Sequence, residues 1–314
     1  MLTHIRFFLI CLLILSAQFA FLIPVSAASR AFDANQIITE NELTLMPKNL
    51  SSADRIQAYL ESQGSVLATY QVPITFEPDD IIISSTNFQN LPTFLQPRFA
   101  TQPYYGTNMR VSDFIWQISR GDMGNGCSLG NNNICVNNRL KTLNPAFVLA
   151  KIQKEQGLVR GSCARVGAQC YGQTMESRLD RAMGYTCTGG LPEKSCYDVN
   201  PNWKYFKGLF RQVYYAMRLL RLYSQFCDNG GYQIGGTLHK TGNSYTYTGY
   251  PNNPTQTTVT YQNGITCSLY IYTPYVDAQS LLFSVLDAVG FDQILIAPDT
   301  VENIEINVPI VTGP

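Results

Sequence analysis

Apolar residues recur at helical spacing along this chain, and the best-marked run is Asn144-Pro-Ala-Phe-Val-Leu-Ala-Lys-Ile-Gln-Lys-Glu-Gln-Gly157. Asn144 can cap the free backbone N–H groups of a helix start. Pro145 suits the first helical position, where its missing N–H costs nothing. Gly157 suits the left-handed residue that stops a helix. Val148, Ile152 and Glu155 then fall on one face. A carboxylate on an apolar stripe, at the negative end of a helix, is expected to favour its neutral form. That is what a general acid needs near neutral pH. The competing reading leaves Glu155 at the edge of the stripe with its carboxylate bent into water.

The same spacing predicts other helices. One runs from a cap at Ser51 or Ser52 to about Gln63, stopped by Gly64. Others cover about 111–119, 176–183 (including Asp180) and 277–289. The longest covers about 202–226, with Phe206, Phe210, Val213, Met217 and Leu220 on a broad apolar face. Lys204, Lys207, Arg211 and Arg218 form a separate stripe, read as a solvated face, with an acidic-polymer site as the minority reading. Pro73, Pro78, Pro92, Pro97 and Pro103 exclude long helices from 71–107, read as an irregular wrap with a possible strand at Ile81–Ser84. Strand-like alternation appears at Ser244–Tyr250 and Thr257–Tyr261, and Asn263-Gly264 is a turn signal. Segment 265–272 is either a returning strand or a short helix. The expected organisation is 1–27 leader, 28–107 helix and wrap, 108–290 main domain and 291–314 extended tail.

The N-terminus and the cysteines set the compartment. His4 and Arg6 precede an apolar run from Phe7 to Ile23, and Val25, Ala27 and Ala28 supply small residues for cleavage. This is a signal peptide, with an uncleaved membrane anchor as the alternative. The chain is therefore expected outside the cytoplasm, touching the membrane only through this segment. Of nine cysteines, Cys11 lies in the leader and the other eight form an even set. In an exported chain that implies disulfides. Eight cysteines allow about 105 connectivities, among which the sequence does not choose; pairing neighbours would give Cys127–Cys135, Cys163–Cys170, Cys187–Cys196 and Cys227–Cys267. A zinc site fits poorly: no C-x-x-C pair occurs and the mature chain has one histidine, His239. No metal or cofactor is expected. The net charge is zero and only 14% of residues are charged, which gives no footing for nucleic acid.

Nucleophilic hydrolysis has little support, since its base would have to be His239 in a turn-rich stretch. No phosphate-cradling glycine loop is present. Carboxylate chemistry remains, with Glu155 the best-placed group.

These residues carry a resemblance. "LNPAFVLAKIQKEQGLV" resembles the acid helix of a family of exported bacterial proteins with a lysozyme-like catalytic domain. "RLDRAMGYTC" (178–187), "YFKGLFRQVYYAMRLLRLY" (205–223) and "LYIYTPY" (269–275) resemble three further blocks in the same order. "ADRIQAYLESQGSVLA" (53–68) is similar to the helix that often precedes the domain. The resemblance implies a mainly α (α+β) fold akin to goose-type lysozymes and soluble lytic transglycosylases, and favours the helical reading of 266–272. It implies that Glu155 protonates the glycosidic oxygen between N-acetylmuramic acid and N-acetylglucosamine in peptidoglycan glycan strands. Asp180 is the second carboxylate candidate, against a salt bridge with Arg181 or a neighbouring arginine. Tyr272 and Tyr275 either orient Glu155 and line the cleft or pack the core; Gln156 and Tyr185 are weaker substrate-binding candidates. A monomer is expected. Cys267 and Ser268 stand where small alanines are usual, and Val276-Asp277 replaces an expected asparagine. The rival function is a non-catalytic glycan-binding or adhesion module on the same fold.

Overall fold

Local signals account for most element boundaries. The computed structural model describes residues 31–74, 108–120, 142–170, 172–186, 203–249 and 254–291, and backbone alone for 135–136, 139–140, 204–205 and 295–296. The leader, the 81–84 strand and most of the 71–107 wrap and the tail lie outside these residues. So do the side chains needed to test the Cys127–Cys135 and Cys187–Cys196 pairings.

The described chain opens with helix α1 (Glu40–Thr44), closed by a reciprocal capping box between Thr39 and Glu42. Strand β1 (Met46–Pro47) follows, then helix α2 (Ala53–Ser62), capped by Ser52. Gly64 takes the left-handed backbone that stops it (φ 60°). Strand β2 (Gln71–Pro73) pairs antiparallel with β3 (Asn108–Arg110), so the two ends of the wrap are joined. Helix α3 (Val111–Arg120) leads to the short pair β4 (Cys135–Val136) and β5 (Arg139–Leu140). Helix α4 (Pro145–Gln156) has its expected caps: Asn144 Oδ1 accepts from Ala146 N, and Gly157 is left-handed (φ 63°). The Asn144 side chain also donates to Glu42 O at 3.0 Å, so the N-terminal segment braces the start of α4.

Helix α5 (Met175–Leu179) is shorter than the periodicity predicts and ends with Asp180 as its C-cap. The long helix is shorter too. Trp203–Phe206 forms a 3-10 turn, Gly208 breaks the run (φ 93°), and helix α6 covers Leu209–Asp228. Its supposed solvated stripe is also corrected. Arg211 and Arg218 are 8% and 2% exposed, because α6 crosses the middle of the core and its neighbours cover that face as well.

Two hairpins follow: β6 (Tyr232–Ile234) with β7 (Thr237–His239), and β8 (Ser244–Thr248) with β9 (Gln256–Thr260). Asn263-Gly264 is not a hairpin turn. Asn263 caps helix α7 (Gly264–Tyr272) by accepting from Thr266 N. A Cβ on Gly264 would lie 2.2 Å from Ser224 O and 2.4 Å from Asp228 Oδ2, so glycine lets α7 begin against α6. Helix α8 (Val276–Val289) packs on α4, and β10 (Leu295–Ile296) pairs with β1. The class is mainly α with small antiparallel sheets.

The 163–170 and 227–267 disulfides are both present. Cys227–Cys267 ties α6 to α7, and Ser268 Oγ donates to Leu220 O across the same contact at 2.7 Å. The two departures from small alanine thus strengthen one helix packing. Ile56 and Leu60 of α2 belong to the same core cluster as residues of α3 and α4.

Candidate active site

Helix α4 carries the candidate acid. Every side chain from Pro145 to Ile152 is buried, so α4 runs through the core rather than over it. Lys151 is among them at 1% exposure, while Glu155, one turn on, keeps 16% of its side-chain surface. The i,i+4 spacing puts the Lys151 ammonium 2.9 Å from Glu155 Oε1. Lys154 reaches the same oxygen, also at 2.9 Å. Glu155 Oε2 takes no hydrogen bond from the described residues.

This arrangement overturns the expected neutral acid. Burial pushes the Glu155 carboxyl up, as the apolar stripe implies. The charges and hydrogen bonds of Lys151 and Lys154 outweigh it and hold the carboxyl down at about 2. Burial in turn pulls the Lys151 ammonium down to about 8, against the opposite pull of Glu155. The resting pair is ionic, with Lys151 the member that titrates nearer to neutrality.

Tyr272, at the end of α7, meets this pair differently from expectation. Its ring face lies over Lys151, with the ammonium 4.4 Å from the centroid. Its hydroxyl donates to Met183 O at 2.8 Å, not to Glu155. Burial, followed by the negative charge of Glu155, pushes this phenol well above its ordinary value. Tyr185 belongs to the same electrostatic neighbourhood and is itself raised by burial. Its ring packs edge-on against Phe206 and is stacked on Tyr215. Gln212 of α6 fixes the intervening backbone: its Oε1 accepts from Tyr185 N at 3.0 Å, and its Nε2 donates to Tyr185 O at 3.1 Å.

The other candidates separate. Gln156 is 1% exposed, and among the described residues neither polar atom of its side-chain amide has a hydrogen-bond partner. It faces the core rather than an open surface. Tyr275 is half-buried and serves as N-cap of α8 without a side-chain capping bond. Asp180 is ion-paired with Lys207 at 3.3 Å, both partly exposed. Its charge acts on Tyr70. Glu155 is held by other partners altogether.

Three residues matter here that the pattern did not single out. Lys151 and Lys154 set the charge state of Glu155. Arg178, fully buried, donates to Gln156 O at 3.0 Å and to Cys163 O and Ala168 O at 2.8 and 3.0 Å. It places a cation on the carbonyl end of α4 and binds the 163–170 disulfide loop to it. The lysine at i−4 from Glu155 was a legible signal, since that spacing pairs opposite charges. Among the described residues no group of three or more His, Cys, Asp or Glu could hold a metal ion. Comparison of the chain with protein-family models, curated proteins and solved structures finds no match.

Proposed function

We propose that this chain is an exported peptidoglycan-cleaving glycosidase, of lysozyme or lytic transglycosylase type, with Glu155 as its acid/base. The observation that carries the reading is Glu155 itself. It is a carboxylate in the last turn of a buried helix, 16% exposed, with both lysines on one oxygen and, among the described residues, no hydrogen bond to the other. The blocks that resemble the lysozyme-like family also interlock around it. Gln212 holds the backbone at Tyr185, Met183 O holds Tyr272, and Tyr272 covers Lys151. The two disulfides fit an oxidising, extracytoplasmic compartment.

In this reading Glu155 first takes up a proton, which requires the lysines to loosen their hold. Lys154 is the one to move, since it is the more exposed of the two and Lys151 is the one that lies under the Tyr272 ring. The protonated carboxyl then gives its proton to the glycosidic oxygen as the bond from that oxygen to the muramyl C1 breaks. The carboxylate next takes a proton from water, or from the muramyl 6-hydroxyl, as that oxygen bonds to C1.

A second reading, a non-catalytic glycan-binding module, is favoured by the ionic state of the resting pair. Mass spectrometry of purified sacculi incubated with the mature protein separates them. Release of muropeptides by the wild type and none by Glu155→Gln is expected. Retention on sacculi with no released fragments selects the binding module. Anhydro or reducing ends, one water apart, then assign transglycosylation or hydrolysis.

A further inference from the structure

The two lysines on Glu155 are not equivalent, and the difference lies in what surrounds them. Lys154 reaches Oε1 from the adjacent position in the chain and is 6% exposed. Lys151 reaches it along the helix axis at 1% exposure, with the Tyr272 ring 4.4 Å from its ammonium. That ring is itself fixed, because its hydroxyl donates to Met183 O, and Met183 N donates to Gln212 Oε1 at 3.3 Å. Residues from α4, α6, α7 and the 183–185 loop therefore lock one ammonium in place. A buried ion pair is weak ground for stability, since an apolar residue of similar volume is often as good. What a locked cation adds is orientation.

We propose that Lys151 is a positioning residue for Glu155: caged under Tyr272, it holds Oε1 so that Oε2 is the oxygen presented to substrate. This rests on the acid/base reading of Glu155 and extends it to the role of a second residue, Lys151, and to the Tyr272 ring that covers it. The charged and titratable groups around Glu155 come from several elements. Lys151 and Lys154 lie on its own helix, Tyr272 on α7 and Tyr185 on the 183–185 loop. Tyr223 of α6 acts on Tyr272. On α8, which packs against α4, Asp277 and Asp287 are both exposed.

The test reads the carboxyl directly. The 13C side-chain carboxyl resonances of the glutamate-labelled full chain are titrated, with Glu155→Gln identifying the Glu155 signal. Lys151→Met is expected to raise the Glu155 midpoint by about one pH unit or more. Lys151→Arg should return it towards the wild-type value. Tyr272→Phe keeps the ring and should leave the midpoint in place, whereas Tyr272→Leu removes the cage and should raise it. A folded Lys151→Met protein with the wild-type midpoint overturns the proposal, as does a Tyr272→Leu protein indistinguishable from Tyr272→Phe. On sacculi, the alkaline limb of the kcat/KM profile, where Glu155 loses the proton that it donates, should move with the midpoint. A lower kcat with an unmoved limb would leave Lys151 a structural role only and overturn the proposal. If the wild type releases nothing from sacculi, the glycosidase reading fails, while the titration still decides whether Lys151 holds Glu155.

Discussion

Two regions of this molecule bury polar groups, and they do it in opposite ways. Around α4 the buried groups are charged. Lys151 and Lys154 converge on Glu155, and Arg178 enters a ring of backbone carbonyls. In the hairpins at 232–260 the interior is neutral and aromatic. His239 stacks on Tyr245, Tyr245 on Tyr261, and Tyr247 on Tyr270, with centroids 4.8, 4.6 and 4.6 Å apart. Burial pulls the His239 pKa down and so favours the neutral ring. Its Nδ1 lies 3.0 Å from the Tyr261 hydroxyl. The outward hairpin face carries paired hydroxyls, Ser244 opposite Thr260 and Thr246 opposite Thr258. Neutral pairs of this kind are satisfied locally and respond little to charge. The ionic cluster is satisfied only by residues brought from several elements, and its energy depends on pH.

The contrast can be broken most strongly where the regions join. Cys227→Ala with Cys267→Ala opens a loop of 40 residues that contains both hairpins. The expected loss is about 4 kcal/mol in chemical denaturation. The α4 cluster should make stability pH-dependent in two windows. Between about 8 and the unfolded value of 10.5, the folded chain has released the Lys151 proton that the unfolded chain keeps. Stability should therefore rise with pH there, and Lys151→Met should abolish the rise in thermal melts. Glu155 behaves in the usual carboxylate sense. Its contribution is present above 4.5 and is lost as pH falls towards about 2, and Glu155→Gln should flatten that limb.

Gly264→Ala tests the joint from the packing side. Its Cβ meets backbone and carboxylate atoms of α6, so a loss of roughly 1–3 kcal/mol is expected in the denaturation midpoint. The smallest effect belongs to the neutral hairpin face. Thr246→Ala with Thr258→Ala should cost about 0.2–1 kcal/mol, with no pH dependence in the same melts. A strong pH dependence in that pair would erase the distinction between the regions.

How much could be read in advance follows the same division. The caps at Ser52, Asn144 and Gly157 act within a few residues, so α2 and α4 were legible with their ends. The breaks at Gly208 and after Leu179 were not. Apolar spacing continues through both, and tertiary contacts decide where the backbone leaves the helix. Asn263-Gly264 shows one dipeptide serving two uses: a turn signal in isolation, a helix cap once Gly264 can approach Ser224 O. At the candidate site, Glu155 was legible as a carboxylate on an apolar helix. Its ionisation was not, because desolvation alone argues for a neutral acid.

The sequence alone therefore determined the helices at 53–62 and 145–156 with their caps and placed Glu155 in the last turn of the second, and pairing of neighbouring cysteines anticipated two disulfides. These rest on spacings of a few residues or on neighbouring cysteines. Only the tertiary structure decided that Arg211 and Arg218 are buried and that Asp180 pairs with Lys207. It alone decided that the Tyr272 ring lies over Lys151 while its hydroxyl donates to Met183 O. Burial and charge are properties of what surrounds a group, and around Glu155 the decisive ring comes from a helix far along the chain.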